Sequence, residues 1–373
     1  MRKIIGGMTP DTIHSVVLGA GLMGRLLACE LARAGHRVSL YDAGNPDGDQ
    51  SAARVAAAML APLAESVITE PAVVCMGRHS LERWPDLIAQ LPRPVFFQRE
   101  GTLILWHRQD AAEASRFARQ IAINQQEIDG LEAAQSLNAP QIGQLEPALG
   151  HRFAQGLYLP GEGQLDNREL LQALLLQIEA MKIQAHWNTP RQPQDFTPGP
   201  AGDCQFLFDC RGLGARADMP QLRGVRGEVI RVYAPEVALT RPVRLIHPRY
   251  PLYIAPKPNH VYVIGATEIE SDDLSPPSVR STLELLSAAY SVHSGFAEAR
   301  ILEINAQCRP ALSDNLPAVR QVAPRSWQIN GLYRHGFLIA PALLDVVLQL
   351  VATGRSELAE EFSLNLESFA KIT

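Results

Sequence analysis

The chain is poor in the features that most often announce a function. Its ten histidines are scattered, with no HExxH or HxH pattern, so nothing presents the closely spaced imidazoles of a metal site. Five cysteines (Cys29, Cys75, Cys204, Cys210 and Cys308) form no CxxC pair. An odd, dispersed set of this kind reads as reduced thiols filling core space in a cytoplasmic protein. No GxSxG nucleophile elbow occurs, and no cysteine stands in a catalytic frame. Positive charge is not in excess: the formal net charge is −5, which argues against nucleic acid or an anionic membrane surface as the main partner. No run is expected to approach the ~20 apolar residues of a membrane span. Residues 1–14 carry Arg2 and Lys3 without the apolar stretch of a signal peptide and are expected to form a loose arm. Internal repeats and low-complexity tracts are missing too. These gaps point away from metal-assisted or side-chain nucleophilic chemistry and leave the reaction to a bound cofactor.

What the chain does have is ordinary bulk and one sharp motif. With 373 residues, 46% apolar and 20% charged, it can bury the cores of two domains. Residues 15–42 read SVVLGAGLMGRLLACELARAGHRVSLYD. An apolar strand runs into Gly19, Gly21 and Gly24, an apolar-periodic helix follows, and a second strand ends at Asp42. Gly19 suits the tight strand-to-helix turn, Gly21 the close approach of a pyrophosphate, and Gly24 the close packing of helix on strand. The helix N-terminus offers free N–H groups to the phosphates. Asp42 stands where a carboxylate can take the hydroxyls of an adenosine ribose and repel a 2′-phosphate. Alone, the motif predicts a dinucleotide and leaves NAD and FAD open.

Beyond Asp42, residues 51–62 (SAARVAAAMLAP) are almost all small. They fit either an Ala-rich helix or a segment kept small so that its backbone can lie against something large and flat. Helical spacing recurs over 70–91, 110–128, 167–181, 278–292 and 340–352, and strands are expected at 102–106, 205–209, 226–233, 252–254, 261–264, 300–305 and 327–329. Strands flanking crossover helices predict an α/β fold: a Rossmann-like unit with a parallel sheet, discontinuous in sequence (1–92, 148–222 and 318–373). The strand-rich remainder (93–147 and 223–317) predicts an α+β second domain with a mainly antiparallel sheet.

Two arginines stand out. Arg309 follows a strand and precedes Pro310, and Arg334 lies in a glycine-bracketed loop before the last helix. A guanidinium fork binds a carboxylate bidentately, so either could anchor a small acid, although the commoner role of an arginine is a surface charge or an internal ion pair. Tyr253 could add a hydroxyl to the same carboxylate, or be a core tyrosine with a satisfied OH.

Taken together, GAGLMG with Asp42, ARVAAAMLAP, the RGE at 226–228, the IGATE at 264–268, CRPALSDNLP and GLYRHGFLIAP resemble the D-amino acid oxidase superfamily of flavoproteins, nearest to its glycine oxidases, which are associated with thiamin thiazole synthesis. The resemblance implies FAD, held non-covalently. Gly19, Gly21, Leu22, Met23 and Gly24 would face its pyrophosphate, and Asp42 and Ala43 its adenosine ribose. Ser51, Ala52, Ala57, Ala58 and Met59 would line the flavin, and Arg191 would touch adenine through its backbone. The loop of Leu332, Tyr333, Arg334, His335, Gly336, Phe337 and Leu338 would run beside the isoalloxazine. Arg309 and Tyr253 would hold the substrate carboxylate, and Arg334 would meet the substrate through its carbonyl. Two positions depart from the pattern or raise a question. Glu268 stands where such oxidases are usually less polar, and Cys308 lies near the cysteine that sarcosine-oxidase-like relatives link to flavin.

The resemblance implies an amino acid oxidase that converts glycine, and also sarcosine and small D-amino acids, to the imino or oxo acid with ammonia and hydrogen peroxide. Its partners would be a small amino acid and dioxygen, and the oligomer a homotetramer. The alternatives are a D-amino acid or sarcosine dehydrogenase of the same fold that passes electrons to a quinone, and, more distantly, an NAD-binding protein.

Overall fold

A computed structural model describes residues 13–247 and 252–367. Of the arm expected at 1–14, all but the last two residues lie outside the described part. His14 opens the first strand, β1 (His14–Leu18), which runs into α1 (Leu22–Arg33) and returns as the parallel strand β2 (Arg37–Tyr41). The turn depends on two glycines. Gly19 has φ +90°, and a Cβ there would lie 2.6 Å from the Cys210 carbonyl oxygen; a Cβ on Gly24 would lie 1.8 Å from the Gly19 carbonyl oxygen. No other residue fits either place.

The small-residue stretch is not an Ala-rich helix. Only one turn forms, α2 (Ala52–Val55), capped by Ser51; the chain then runs extended through β3 (Met59–Leu60) into the short α3 (Pro62–Glu65) and the long α4 (Pro71–Ala89). After β4 (Phe97–Gln98) and β5 (Thr102–Leu105) come α5 (Ala111–Glu127), β6 (Gln135–Asn138), α6 (Ala139–Leu145), β7 (Gln155–Leu159) and β8 (Gly163–Leu165). The crossover helix α7 (Asn167–Ala180), N-capped by Asp166, leads to β9 (Gln184–His186) and then β10 (Phe206–Asp209). β10 pairs parallel with β1, the expected return to the first sheet.

Next come β11 (Arg223–Tyr233), β12 (Val243–Leu245), β13 (Leu252–Lys257), β14 (Val261–Gly265), β15 (Ile269–Glu270), α8 (Val279–Val292) and β16 (Arg300–Ala311). The chain closes with β17 (Ala318–Ala323), β18 (Ser326–Asn330), α9 (Gly336–Thr353), α10 (Glu357–Glu361) and β19 (Leu366–Glu367).

Three sheets result. The first, β19-β17-β18-β10-β1-β2-β9, is parallel except for β17 against β18. Its central strands are buried on both faces: Val17 and Phe208 face the layer of α1, α4, α7 and α9, whereas Val16 and Leu18 pack beneath Phe196. The second, β15-β11-β14-β13-β12-β5-β7-β6 with β16 along β11, is antiparallel except for β12 beside β5. β7 comes from within the stretch assigned by sequence to the nucleotide unit, yet it pairs with β5 and β6 in this second sheet; its amphipathic pattern suits either sheet, and only its partners decide. Small strands β3, β8 and β4 form the third. Along β13 the strand period of two separates tasks: Leu252 and Ile254 enter the core beneath α8, while Tyr253 and Ala255 face the other way.

The last helix departs from expectation twice. It starts at Gly336, not Ala340, so the loop before it is short. It is also long and apolar enough, by length and composition alone, to cross a membrane, contrary to the expectation that no run approaches that length. Here α9 is packed into the first core, with Leu338–Leu344 buried. Pro341 lies inside it and has no N–H for the carbonyl of Phe337, four residues before. The fully buried Trp84 of α4 supplies that donor, its indole N–H reaching the Phe337 oxygen at 2.9 Å.

Replacing Trp84 by Phe keeps one aromatic ring but removes the donor and part of the buried volume, so it should destabilise the protein by at least about 1–3 kcal/mol; urea unfolding of parent and variant measures the difference, and equal midpoints would contradict the role.

Candidate active site

At the carboxyl ends of β1 and β2 the first sheet faces the Tyr253 side of the second, and between them lies a cavity of about 870 Å³. Gly19, Gly21, Leu22, Met23, Asp42, Ala43, Ser51, Ala52, Ala57, Ala58, Met59 and Arg191 line one part of it. Tyr253, Arg309, Leu332, Tyr333, Arg334, His335, Gly336, Phe337 and Leu338 line the rest, with Glu268 and Cys308. Gly24 alone of the residues expected around a cofactor stands outside; its task is the packing against Gly19. Small-molecule sites span ~300–1,000 Å³, so this volume suits a dinucleotide with a small second molecule.

The nucleotide end fits such a ligand. No side chain caps the N-terminus of α1, whose N-cap is Gly21, so its amides and dipole are left for an anion. Both oxygens of Asp42 are engaged by backbone: Ala20 N–H donates to one and Gly44 N–H to the other at 2.7 Å. That places the carboxylate at the edge of the glycine turn, where a ribose would lie. Beneath the turn is Arg25, buried within the apolar helix α1. Its guanidinium donates to the carbonyls of Ala20 (2.8 Å), Leu171 (2.9 Å) and Pro46 (2.5 Å), tying three separate segments together.

The flavin-sized middle is walled by 56–59, and here a buried cation sets the backbone. Lys257 Nζ donates to the carbonyls of Ala57 (2.9 Å) and Leu165 (2.7 Å) and to Gln164 Oε1 (3.1 Å). Burial pulls its pKa down to about 7, against the attraction of Asp166.

At the far end, Arg309 projects from β16 across β11. Gly227 makes room for it: a Cβ there would lie 2.2 Å from Arg309 Nη2. The RGE motif follows from strand alternation, because Arg226 and Glu228 pair on the opposite face (2.7 Å) and leave Gly227 under the guanidinium. Both terminal nitrogens of Arg309 donate to the Thr267 carbonyl at 3.2 Å, and among the described residues no carboxylate pairs with it. Tyr253 is set beside it by Gly265, where a Cβ would lie 2.6 Å from the phenol oxygen. Burial, partly opposed by Arg309, raises the Tyr253 pKa and keeps its hydroxyl protonated.

Arg334 is held differently. Its Nε lies 3.2 Å from Glu65 Oε2, and its Nη1 donates to Glu268 Oε2 at 2.9 Å. Glu65 also takes Arg244 Nη2 at 2.5 Å and lies 3.5 Å from His335 Nδ1. Burial would raise the Glu65 pKa, but Arg334, Arg244 and His335 overcome it and hold the carboxyl well below the usual range. Burial brings His335 down to about 4, so the imidazole is neutral. Tyr333 donates to Glu268, and burial with that bond raises its pKa to about 12. Cys308 points behind β16, its thiol on the carbonyls of Ser271 (3.4 Å) and Asp273 (3.6 Å). Among the described residues no cluster of three or more His, Cys, Asp or Glu could hold a metal.

Sequence reasoning missed Arg25, Glu65, Arg244, Lys257 and the fully buried Glu162. Arg25 carried a signal, a charge inside an otherwise apolar helical run. Glu65 ends such a run as well, but its partners lie some 180 and 270 residues away.

The family of FAD dependent oxidoreductases known as DAO matches residues 14–348. A Rhizobium etli protein carrying the name thiamine biosynthesis oxidoreductase ThiO is 39% identical over 346 residues, covering 92% of this chain and 97% of its own. The crystal structure of glycine oxidase from Geobacillus kaustophilus superposes with a TM-score of 0.78 at 23% identity, over 95% of this chain and 99% of that one. Iminodiacetate oxidase from a Chelativorans species gives 0.78 at 21%, over the same shares.

Glu162 generates a pH prediction. Burial raises its carboxyl to about 7 from an unfolded value of 4.5, while Ala64 N–H donates to it at 2.7 Å. A raised acid contributes stability below its unfolded pKa and loses it as pH rises through the folded one. Between pH 6 and 8, Glu162→Gln should therefore gain about 1 kcal/mol relative to the parent; parallel pH dependences in urea unfolding would contradict it.

Proposed function

Because this chain belongs to the DAO family of FAD dependent oxidoreductases, we propose that it oxidises a small amino acid, glycine first and sarcosine or small D-amino acids next, with dioxygen as the acceptor. The observation that carries this reading is Arg309, a guanidinium that lines the cavity with Tyr253 and Arg334, resting on a carbonyl and with no carboxylate of its own among the described residues. The glycine oxidase fold and the ThiO relative support it, and from the latter we take a role in thiamine biosynthesis.

The residues divide the work. Arg309 would grip the substrate carboxylate with its fork and Tyr253 would add its hydroxyl, fixing which way the Cα–H points. The dry walls of Ala57, Ala58, Leu338 and Phe337 exclude water from that side. His335 stays neutral, so no fixed cation stands against the substrate's amine from that position. FAD bound along the cavity would supply the two-electron acceptor for the Cα–H, with its pyrophosphate at α1 and its ribose at Asp42. The N-terminus of α9 points its dipole into the same space, favouring negative charge there. The imino acid released from the site is hydrolysed by water to the oxo acid and ammonia, and the overall reaction consumes dioxygen and forms peroxide. With Cys308 turned away behind its strand, the flavin would be held without a covalent bond.

Purified protein should be yellow, lose its flavin to the supernatant on acid precipitation, and form peroxide with glycine, sarcosine or small D-amino acids. Dye reduction without peroxide would instead select the quinone-linked dehydrogenase, and a flavin spectrum indifferent to every amine would sink the assignment. Arg309→Ala should stay yellow while its KM for glycine rises on the order of a hundredfold; an unchanged KM would remove Arg309 from the substrate.

A further inference from the structure

The far end of the cavity has a definite balance of charge. Three cations meet there, Arg244, Arg309 and Arg334, and two anions, Glu65 and Glu268. His335 is neutral, as are both tyrosines. Arg334 is engaged at all three nitrogens: Nε and Nη2 on Glu65 (3.2 and 3.4 Å) and Nη1 on Glu268 (2.9 Å). Arg244 is paired with the same Glu65. Among the described residues this leaves one cation at the site without a carboxylate, Arg309.

The two acids differ in kind. Glu65 is buried and holds Arg334 from below, between α3 and α9. Glu268 comes from the link between β14 and β15, is 47% exposed and lines the cavity. It reaches Arg334 from the open side, and the Tyr333 hydroxyl donates to its other oxygen. Glu268 therefore occupies the one guanidinium edge of Arg334 that a ligand in the cavity could otherwise take.

We propose that Glu268 is the specificity-determining residue that makes this site take amines with a single carboxylate, by covering Arg334 and leaving Arg309, among the described residues, as the one cation free to anchor it. A substrate with carboxymethyl groups on both sides of its nitrogen would bring a second carboxylate against Glu268 and find Arg334 already paired. Repulsion on one side and a missing partner on the other exclude it. Neutralising Glu268 would free the Arg334 edge and raise the net charge of the site by one, which suits a dicarboxylate. This inference rests on the amine oxidase reading only in placing the ligand carboxylate at Arg309.

Non-reacting ether analogues separate the two readings. Methoxyacetate has the shape of sarcosine with one carboxylate, and diglycolate has that of the doubly carboxymethylated amine. Their dissociation constants can be read from the flavin absorbance of the yellow holoenzyme. The parent should bind methoxyacetate much more tightly than diglycolate, and in Glu268→Gln the preference should shift towards diglycolate by about tenfold or more, the size of one charge-assisted hydrogen bond. Glu268→Ala should shift it in the same direction, which guards against an effect peculiar to the glutamine. If methoxyacetate binds and the ratio stays within twofold in both variants, or if the parent already prefers diglycolate, this inference is overturned and the amine oxidase reading stands. If neither anion perturbs the flavin of any of the three proteins, both are overturned.

Discussion

The buried carboxylate of Glu65 joins segments that lie far apart in the chain. It sits at the end of α3, yet its partners are Arg244 from the second sheet and Arg334 and His335 from the start of α9. Burying an anion is costly unless it is paired and hydrogen-bonded. The two guanidiniums make it stable, and each of them is made tolerable by it in turn. Withdrawing Glu65 would leave Arg244 in the interior without a carboxylate among the described residues, so the three segments are held in one mutual arrangement. The position of the cavity's far wall relative to the glycine turn is therefore an electrostatic consequence as much as one of apolar packing.

Strand alternation explains how the second sheet serves two purposes with little sequence. One set of positions builds a core beneath α8, and the interleaved set presents Tyr253, Arg244, Gly227 and Arg309 to the cavity. Glycines at 227 and 265 are the spaces into which the large side chains of Arg309 and Tyr253 fit. Polar chemistry is thus carried on the face that has little apolar surface to bury.

The turn at Gly19–Gly24 was legible in the sequence because its geometry excludes every residue but glycine at two places. The same holds for the periodic helices α4, α7 and α8, whose apolar spacing needs no knowledge of partners. Residues 51–62 remained open between helix and flat wall, since alanine serves both; one turn of helix, capped by Ser51, and an extended run tied to Lys257 are decided by contacts with a strand some two hundred residues on. Arg309 and Arg334 look alike as sequence, each an arginine beside a turn. Their difference, one without a carboxylate among the described residues and one held by two acids, depends on Glu65 and Glu268, and no local pattern shows which acid will face which base.

The order of β18, β10, β1 and β2 in the first sheet has a bearing on how the protein comes to be made. The glycine turn is synthesised well before β10, β18 and α9, which complete its surroundings. Pairings so distant in sequence form slowly, and the carbonyl that Trp84 serves does not exist until α9 is synthesised. A nascent chain therefore exposes an unfinished nucleotide cradle until α9 has been made.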